Sequence, residues 1–172
     1  MAPQSIDAVV RLLLARELLE SGALLIHASA VVTADGRGVA FVGPSGSGKT
    51  TIAETLPGIV AGDEAVIVSE QSGTVMVTGT PYWNGRPITA PLDAMLFISR
   101  GGEPAWRAVS PSRAAAKLFA ACGPLPCSAS ERALAVSARL VDHIPSCADV
   151  TLASKADIRQ WLAPRLGIGQ GM

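Results

Sequence analysis

The chain has 172 residues, 49% hydrophobic but only 4% aromatic, so a core of domain size must be built from Ala, Val, Leu and Ile. Fourteen basic and fourteen acidic side chains cancel, and no basic cluster breaks the balance, which argues against nucleic acid as the main partner. Arg11, Arg16, Glu17, Glu20 and His27 interrupt the longest apolar stretches, so no segment is long enough to span a membrane. No basic region followed by an unbroken apolar run opens the chain as a secretion signal would.

In chain order, residues 6–19 read as an amphipathic helix, because Ile6, Val9, Val10, Leu13, Leu14 and Leu18 recur at spacings of three and four. Ser5 is its expected N-cap and Gly22 its stop. The apolar face is expected to pack on a sheet, with a lid or a homo-oligomer contact as its alternative use. Residues 24–32 are rich in strand formers, and Asp35-Gly36 after them is a tight-turn signal. The pattern predicts a β-hairpin whose second strand, 38–42, pairs antiparallel with the first and feeds the next segment. In the common doubly wound nucleotide folds that segment usually follows a parallel strand, so arrival by a hairpin is a departure.

The next segment is Gly43-Pro44-Ser45-Gly46-Ser47-Gly48-Lys49-Thr50-Thr51. From Gly43 to Thr50 it matches G-x-x-x-x-G-K-[ST], with an apolar strand before it and a helix-capable stretch, 49–56, after it. Glycines at 43, 46 and 48 let the backbone turn so that successive N–H groups face a phosphate. The following helix N-terminus adds partial positive charge. Lys49 is placed to reach the β- and γ-phosphates, and the Thr50 hydroxyl to hold Mg²⁺. The expected ligand is a nucleoside triphosphate, ATP with Mg²⁺.

Pro57-Gly58 ends the short helix, and residues 59–68 return as a strand carrying Asp63-Glu64. Asp63 lies fourteen residues after Lys49, close enough for the acidic pair to come back beside the phosphates. In a regular strand the two carboxylates point to opposite faces. One is expected near the metal, which needs oxygen ligands besides the phosphates. Taken alone, the pair also reads as solvated charge, and His27 as a satisfied core or edge residue. Beyond it come a turn at 69–73, a strand at 74–78 and an ordered surface loop over 79–91 with Tyr82-Trp83. A loop of that length in a compact domain is usually functional. A buried strand at 95–98 is closed by Gly101-Gly102. Helices at 112–122 and 130–143 flank a Pro-rich break at 123–126, and a strand with a turn in it covers 144–152. The last helix, 154–166, is capped by Ser154 with Asp157 at its third position, and the Gly-rich tail is expected to fray. Cys122, Cys127 and Cys147 are odd in number and lack the paired C-x-x-C of a zinc site. They read as small buried or half-buried thiols in a reducing cytoplasm.

The succession Ile26-His27-Ala28-Ser29-Ala30, then the Gly-Ser-Gly-Lys loop, then Ala61-Gly62-Asp63-Glu64 resembles the core shared by two families. These are HPr serine kinase/phosphorylase and ATP-dependent phosphoenolpyruvate carboxykinase. Both place a histidine in the strand before the loop strand and an acidic pair at the next strand. Order and spacing agree over residues 24–68, and residues 79–85 are similar to those of small HPr-kinase-related proteins. The resemblance implies an α/β fold: a single domain, 1–172, with a mixed twisted sheet around a phosphoenolpyruvate carboxykinase/HPr-kinase-like P-loop core. The chain is too short for a full carboxykinase and lacks the N-terminal domain of the longer HPr kinases.

The resemblance also implies roles. Lys49 holds the transferred phosphoryl group, and Thr50 with an acidic side chain holds Mg²⁺. Asp63 ligates the metal or takes the proton from a serine hydroxyl, and His27 beside it orients the nucleophile or touches the metal. Glu64 stands where the family has a second aspartate; its longer carboxylate can still bind metal. The family's second acidic motif and phosphate-clamping arginine have no clear match, which leaves Glu70, Arg86 and Arg100 as candidates by elimination. The expected activity is an ATP-dependent kinase acting on a hydroxyl of a protein, peptide or small molecule, with the Trp83 loop covering the site. The alternative is a nucleotide-binding module without transfer chemistry, in which ATP occupancy controls a partner.

Overall fold

A computed structural model describes residues 3–82 and 85–168; Trp83, expected to cover the site, and the tail from residue 169 lie outside the described residues. Helix α1 (Pro3–Glu20) leads into strands β1 (Leu24–Ile26), β2 (Ala28–Val32) and β3 (Gly38–Val42). Helix α2 (Lys49–Thr55) follows, then β4 (Ile59–Asp63), β5 (Val66–Gln71), β6 (Thr74–Gly79), β7 (Thr89–Arg100) and β8 (Ala105–Ala108). Helices α3 (Pro111–Ala120) and α4 (Ser130–Asp142) precede β9 (Ser146–Leu152). The chain closes on α5 (Lys155–Asp157), a π-helical stretch Ile158–Leu162 and α6 (Ala163–Arg165). Pro164 has no N–H to return to the preceding turn, and the Ala163 N–H reaches back to the Ile158 carbonyl. The Ser154–Asp157 capping box is present as expected.

The strands form one mixed sheet in the order β1-β5-β6-β7-β3-β2-β4, with β9 added to β7 and β8 to β9. Strands β2 and β3 make the antiparallel hairpin that the Asp35-Gly36 turn foretells, while β3, β7 and β9 run parallel. Strand β7 belongs to both ends of the sheet. Its first residues pair with β6 and the rest with β3 and β9, so the sheet curls over itself.

Alternation along β3 feeds two cores. Ala40 and Val42 face α3 and α4 together with Phe97 and Leu118. Val39 and Phe41 face α2 and the C-terminal helices with Ile52, Leu96 and Leu162. Both faces of the central strands are therefore covered, which is why they read as continuous apolar runs.

Five expectations need correction. The segment 24–32 is not one strand: it bends at His27, so that β1 pairs with β5 while β2 pairs with β3 and β4. The segment 59–68 likewise breaks at Glu64, whose φ is 109°. The buried stripe of α1 is also different. Ala15 and Leu19 are buried, but Val9, Val10 and Leu13 are 48%, 48% and 54% exposed, because β1 and α4 pack only against the second half of the helix. Strand β8 has no counterpart in the sequence reading, and β7 extends well beyond 95–98 at both ends. Among the described residues no helix is long and apolar enough to cross a membrane.

Candidate functional site

Strand β3 ends at Val42 and the loop 43–48 turns the chain into α2. The turn depends on Gly46 and Gly48, whose φ angles of 80° and 95° suit glycine, and a Cβ at either would meet nothing within 4 Å. Gly43 is needed for close approach, since a Cβ there would lie 2.7 Å from the Ile98 carbonyl and 2.8 Å from Ser47 Oγ.

Lys49 opens α2 and is only 7% exposed. Its Nζ donates to the carbonyls of Gly43 at 2.8 Å and Pro44 at 3.1 Å. Burial lowers its pKa, and the nearby carboxylates of Glu64 and Asp63 oppose that shift. Ser47 Oγ is buried with no hydrogen-bond partner among the described residues. Among those residues the N–H groups of Ser45, Gly46 and Gly48 have no protein acceptor either. A lysine held in the mouth of the loop, three free amides and an orphaned hydroxyl make a donor set that suits an anion of phosphate type. Thr51 continues α2, its carbonyl taken by Thr55 Oγ1 at 2.6 Å.

Asp63 is the last residue of β4 and lies opposite Ser29 in the β2–β4 register. Ser29 Oγ, fully buried, donates to Asp63 Oδ1 at 2.6 Å, and Thr50 Oγ1 donates to the same oxygen at 2.8 Å. Among the described residues Oδ2 receives no donor. The 2.8 Å contact joins the end of β4 to the start of α2, as the fourteen-residue return allows. Among the described residues no three His, Cys, Asp or Glu side chains converge as a metal cage. A magnesium ion bridging phosphates needs fewer protein ligands, because phosphate oxygens and waters fill most of its octahedron. The Thr50 hydroxyl and Asp63 Oδ2 are groups of that kind.

Glu64 does not point away as a regular strand would have it. The break at its backbone brings its carbonyl within 3.0 Å and its Oε1 within 3.4 Å of His27 Nδ1. His27 stands at the bend between β1 and β2, and its N–H donates to the Ala121 carbonyl at 2.7 Å. The adjacent acids thus take different partners, the Thr50 hydroxyl on Asp63 and the His27 imidazole on Glu64.

Of the elimination candidates, Arg86 is the one brought to the site. It walls a cavity of about 320 Å³ with Thr50, Glu54 and Asp63. Glu70 lies 3.5 Å from Arg139, away from the loop, and Arg100 is exposed at the end of β7. Sequence reading passed over Ser29 as an Asp63 partner; its one signal is that it sits two residues after His27 in the same apolar stretch.

It also passed over a larger cavity, about 830 Å³, at the carboxyl ends of β3, β7 and β9. Its walls include His27, Gly43, Pro44, Phe97, Lys117 and Asp149. Helix α2, after β3, lies on one face of the sheet, and α3, after β7 and β8, lies on the other. The cavity opens where that side changes, the position at which open α/β sheets take their ligands. Lys117 Nζ, 2.6 Å from Asp149 Oδ1, lies 5.0 Å from the centre of the Phe97 ring and so joins its charged and apolar walls.

Comparison with known proteins adds the following. Curated proteins give no match. Among solved structures, the HPr(Ser) kinase/phosphatase from Coxiella burnetii is similar at 8% identity, over 83% of this chain and 93% of that one, with a TM-score of 0.45. Residues 4–124 match the family model described as SynChlorMet cassette protein ScmC. That match runs over well more than half of the chain, through the loop, Asp63 and α3, and the protein belongs to the ScmC family.

Proposed function

We propose that this chain is an ATP-dependent kinase that moves the γ-phosphoryl group of ATP to a hydroxyl of a protein, peptide or small molecule. The observation that carries the reading is the fixed Asp63 carboxylate, held by Ser29 and Thr50 beside a loop whose buried lysine faces its mouth. Phosphoryl transfer asks a protein mainly for positioning and charge neutralisation. Lys49 exchanges its two carbonyl partners for phosphate oxygens, and the loop amides bind the rest of the triphosphate. Thr50, Asp63 and Glu64 would hold Mg²⁺, which would supply charge neutralisation to the phosphates. Asp63 accepts the proton of the acceptor hydroxyl as its oxygen bonds to the γ-phosphorus and the bond to ADP breaks. His27, positioned by Glu64, orients that hydroxyl. Three free thiols fit work in a reducing cytoplasm.

The second reading is a nucleotide-binding module whose occupancy controls a partner without transfer.

The experiment measures ATP affinity and phosphoryl transfer for wild type, Lys49→Ala and Asp63→Asn over a range of Mg²⁺. Lys49→Ala is expected to abolish productive binding. Asp63→Asn is expected to keep ATP affinity and lose about 10²-fold or more in transfer, since a group acting only in the transition state lowers kcat and kcat/KM together. Full rescue of Asp63→Asn at high Mg²⁺ makes Asp63 a metal ligand alone. Binding without ADP formation for any acceptor favours the module.

A further inference from the structure

Strand β8 forms an open edge of the sheet. Among the described residues it pairs with β9 alone, from Ala105↔Thr151 to Ala108↔Ala148. The Val109 N–H donates to the Cys147 carbonyl at 3.0 Å, just past the end of that ladder. Backbone groups alternate sides along an antiparallel strand. Ala105 and Arg107 therefore turn theirs toward β9, and Trp106 and Ala108 turn theirs to the open side.

Two cavities meet along this edge. On the α3 face, Ala105 and Arg107 wall the 830 Å³ cavity that reaches Gly43, Pro44 and His27. A second cavity of about 680 Å³ shares Ala105 and Arg107 with the first as its rim and reaches across the strand to Pro104, Trp106, Trp161 and Arg165. Both volumes fall in the range of about 300–1,000 Å³ typical of ligand sites. Such an arrangement suits an extended chain, whose successive side chains point to opposite faces. A compact small molecule would need only one of the two cavities.

Charge narrows the choice further. Asp149 is held by Lys117 at 2.6 Å and Arg113 at 3.2 Å. Among the described residues, Arg107 and Arg165 have no carboxylate partner, and Arg165 stacks 4.0 Å above the Trp161 ring. Glu103 also lines the larger cavity, but Arg107 and Arg165 together with Lys117 and Arg113 still outnumber Glu103 and Asp149, which calls for acidic residues in whatever binds there.

We propose that β8 docks an extended acidic peptide segment containing a serine or threonine. The segment adds as a strand to the free backbone groups of Trp106 and Ala108. Its side chains enter the two cavities in alternation, with the hydroxyl on the side that opens to the loop. Lys49 Nζ sits against the Gly43 and Pro44 carbonyls, and these two residues also wall the larger cavity, so a side chain entering it approaches the phosphoryl end of the loop. The choice of a hydroxyl residue rests on the kinase reading; the strand addition does not.

The test selects a displayed library of octapeptides with a fixed central serine against the wild-type chain without nucleotide, then measures the affinity of the recovered sequences. These are expected to carry an apolar or aromatic residue next to the serine and acidic residues nearby. Ala108→Pro removes one outward N–H and no bond of the β8–β9 ladder, so it is expected to weaken binding about tenfold or more. A second measurement leaves the protein untouched: N-methylation of alternate peptide amides should abolish binding in one phase and spare it in the other. No enrichment, unchanged affinity of Ala108→Pro, or N-methylation effects equal in both phases overturns the proposal. Mass spectrometry after adding Mg·ATP separates the two readings. A peptide that binds this edge but is never phosphorylated sinks the kinase reading and leaves the docking edge standing. Phosphorylation of a simple alcohol with no peptide selected does the reverse.

Discussion

Glu64 carries a positive φ of 109°, a conformation that a residue with a side chain adopts at a cost of about 1–3 kcal/mol. What the strain secures is the placement of two acids at once. Asp63 ends β4 with its carboxylate on Ser29 and Thr50, and the turn at Glu64 brings its carbonyl and carboxylate to His27. The His27–Glu64 pair is more than a third exposed on both sides, so its own contribution to stability is small, about 0–1 kcal/mol. Strain therefore outweighs contact at this position. Glu64→Gly is expected to be more stable than Glu64→Ala by about 1–2 kcal/mol, because both lose the pair and only alanine keeps the strain. Thermal unfolding of the two variants decides it, and equal melting points would mean that Glu64 relaxes at no cost. A functional role for the turn predicts in addition that neither variant retains full transfer activity.

At the scale of elements, the described residues between β6 and β7 are tied to β4 and to Ala65 just after it. The Gly79 N–H donates to the Ile88 carbonyl at 2.9 Å, Arg86 N–H to the Ala61 carbonyl at 2.8 Å, and buried Thr80 Oγ1 to the Ala65 carbonyl at 2.7 Å. A Cβ at Gly79 would fall on the carbonyl oxygens of Ala61 and Arg86, both backbone atoms that cannot swing aside. Gly79→Ala is thus expected to cost about 3 kcal/mol and to shift Arg86 away from Thr50 and Asp63, weakening nucleotide binding as well. A melt and a nucleotide titration check both halves; an unchanged melt would show that the segment is not pinned there. The same elements mark what the sequence makes legible. The hairpin, the loop and the Ser154 cap are written in adjacent residues, so local chemistry reveals them. The bends at His27 and Glu64 arise because β1 and β5 join one end of the sheet while β2 and β4 join the other, a demand set by partners far along the chain. Ser29 holds Asp63 only through the β2–β4 register, and the cavity beside Gly43 needs β8 and α3 in place. Neither leaves a mark in the spacing of residues.

For the whole molecule, formal charges cancel near neutrality, so the response to pH depends on a few buried groups rather than on net repulsion. Two of them are thiols. Burial raises Cys122 to about 11, against a lesser opposing hydrogen bond from Ser137, and burial raises Cys147 to about 11. Both thiols ionise near 9.0 when the chain is unfolded. Below that pH both states hold the proton and these residues leave stability unchanged. Between 9.0 and about 11 the unfolded chain loses protons that the folded chain keeps, so stability falls as pH rises. Lys49 acts with the opposite sign: burial lowers its pKa, so the folded chain releases that proton first and gains stability as pH rises toward the ordinary lysine range. The two effects oppose each other, and the thiol part is the one that substituting both cysteines removes. Urea unfolding at steps from about pH 8 upward should show a Cys122→Ala, Cys147→Ala double variant that starts lower, because alanine leaves small voids, yet declines less steeply than wild type. Exposed Cys127 serves as the internal control, reacting with a thiol reagent in the native state faster than half-buried Cys122 and Cys147. If the double variant declines as steeply as wild type, the alkaline loss belongs to other groups, and the two half-buried thiols are more open to water than their packing against α3, α4 and β9 allows.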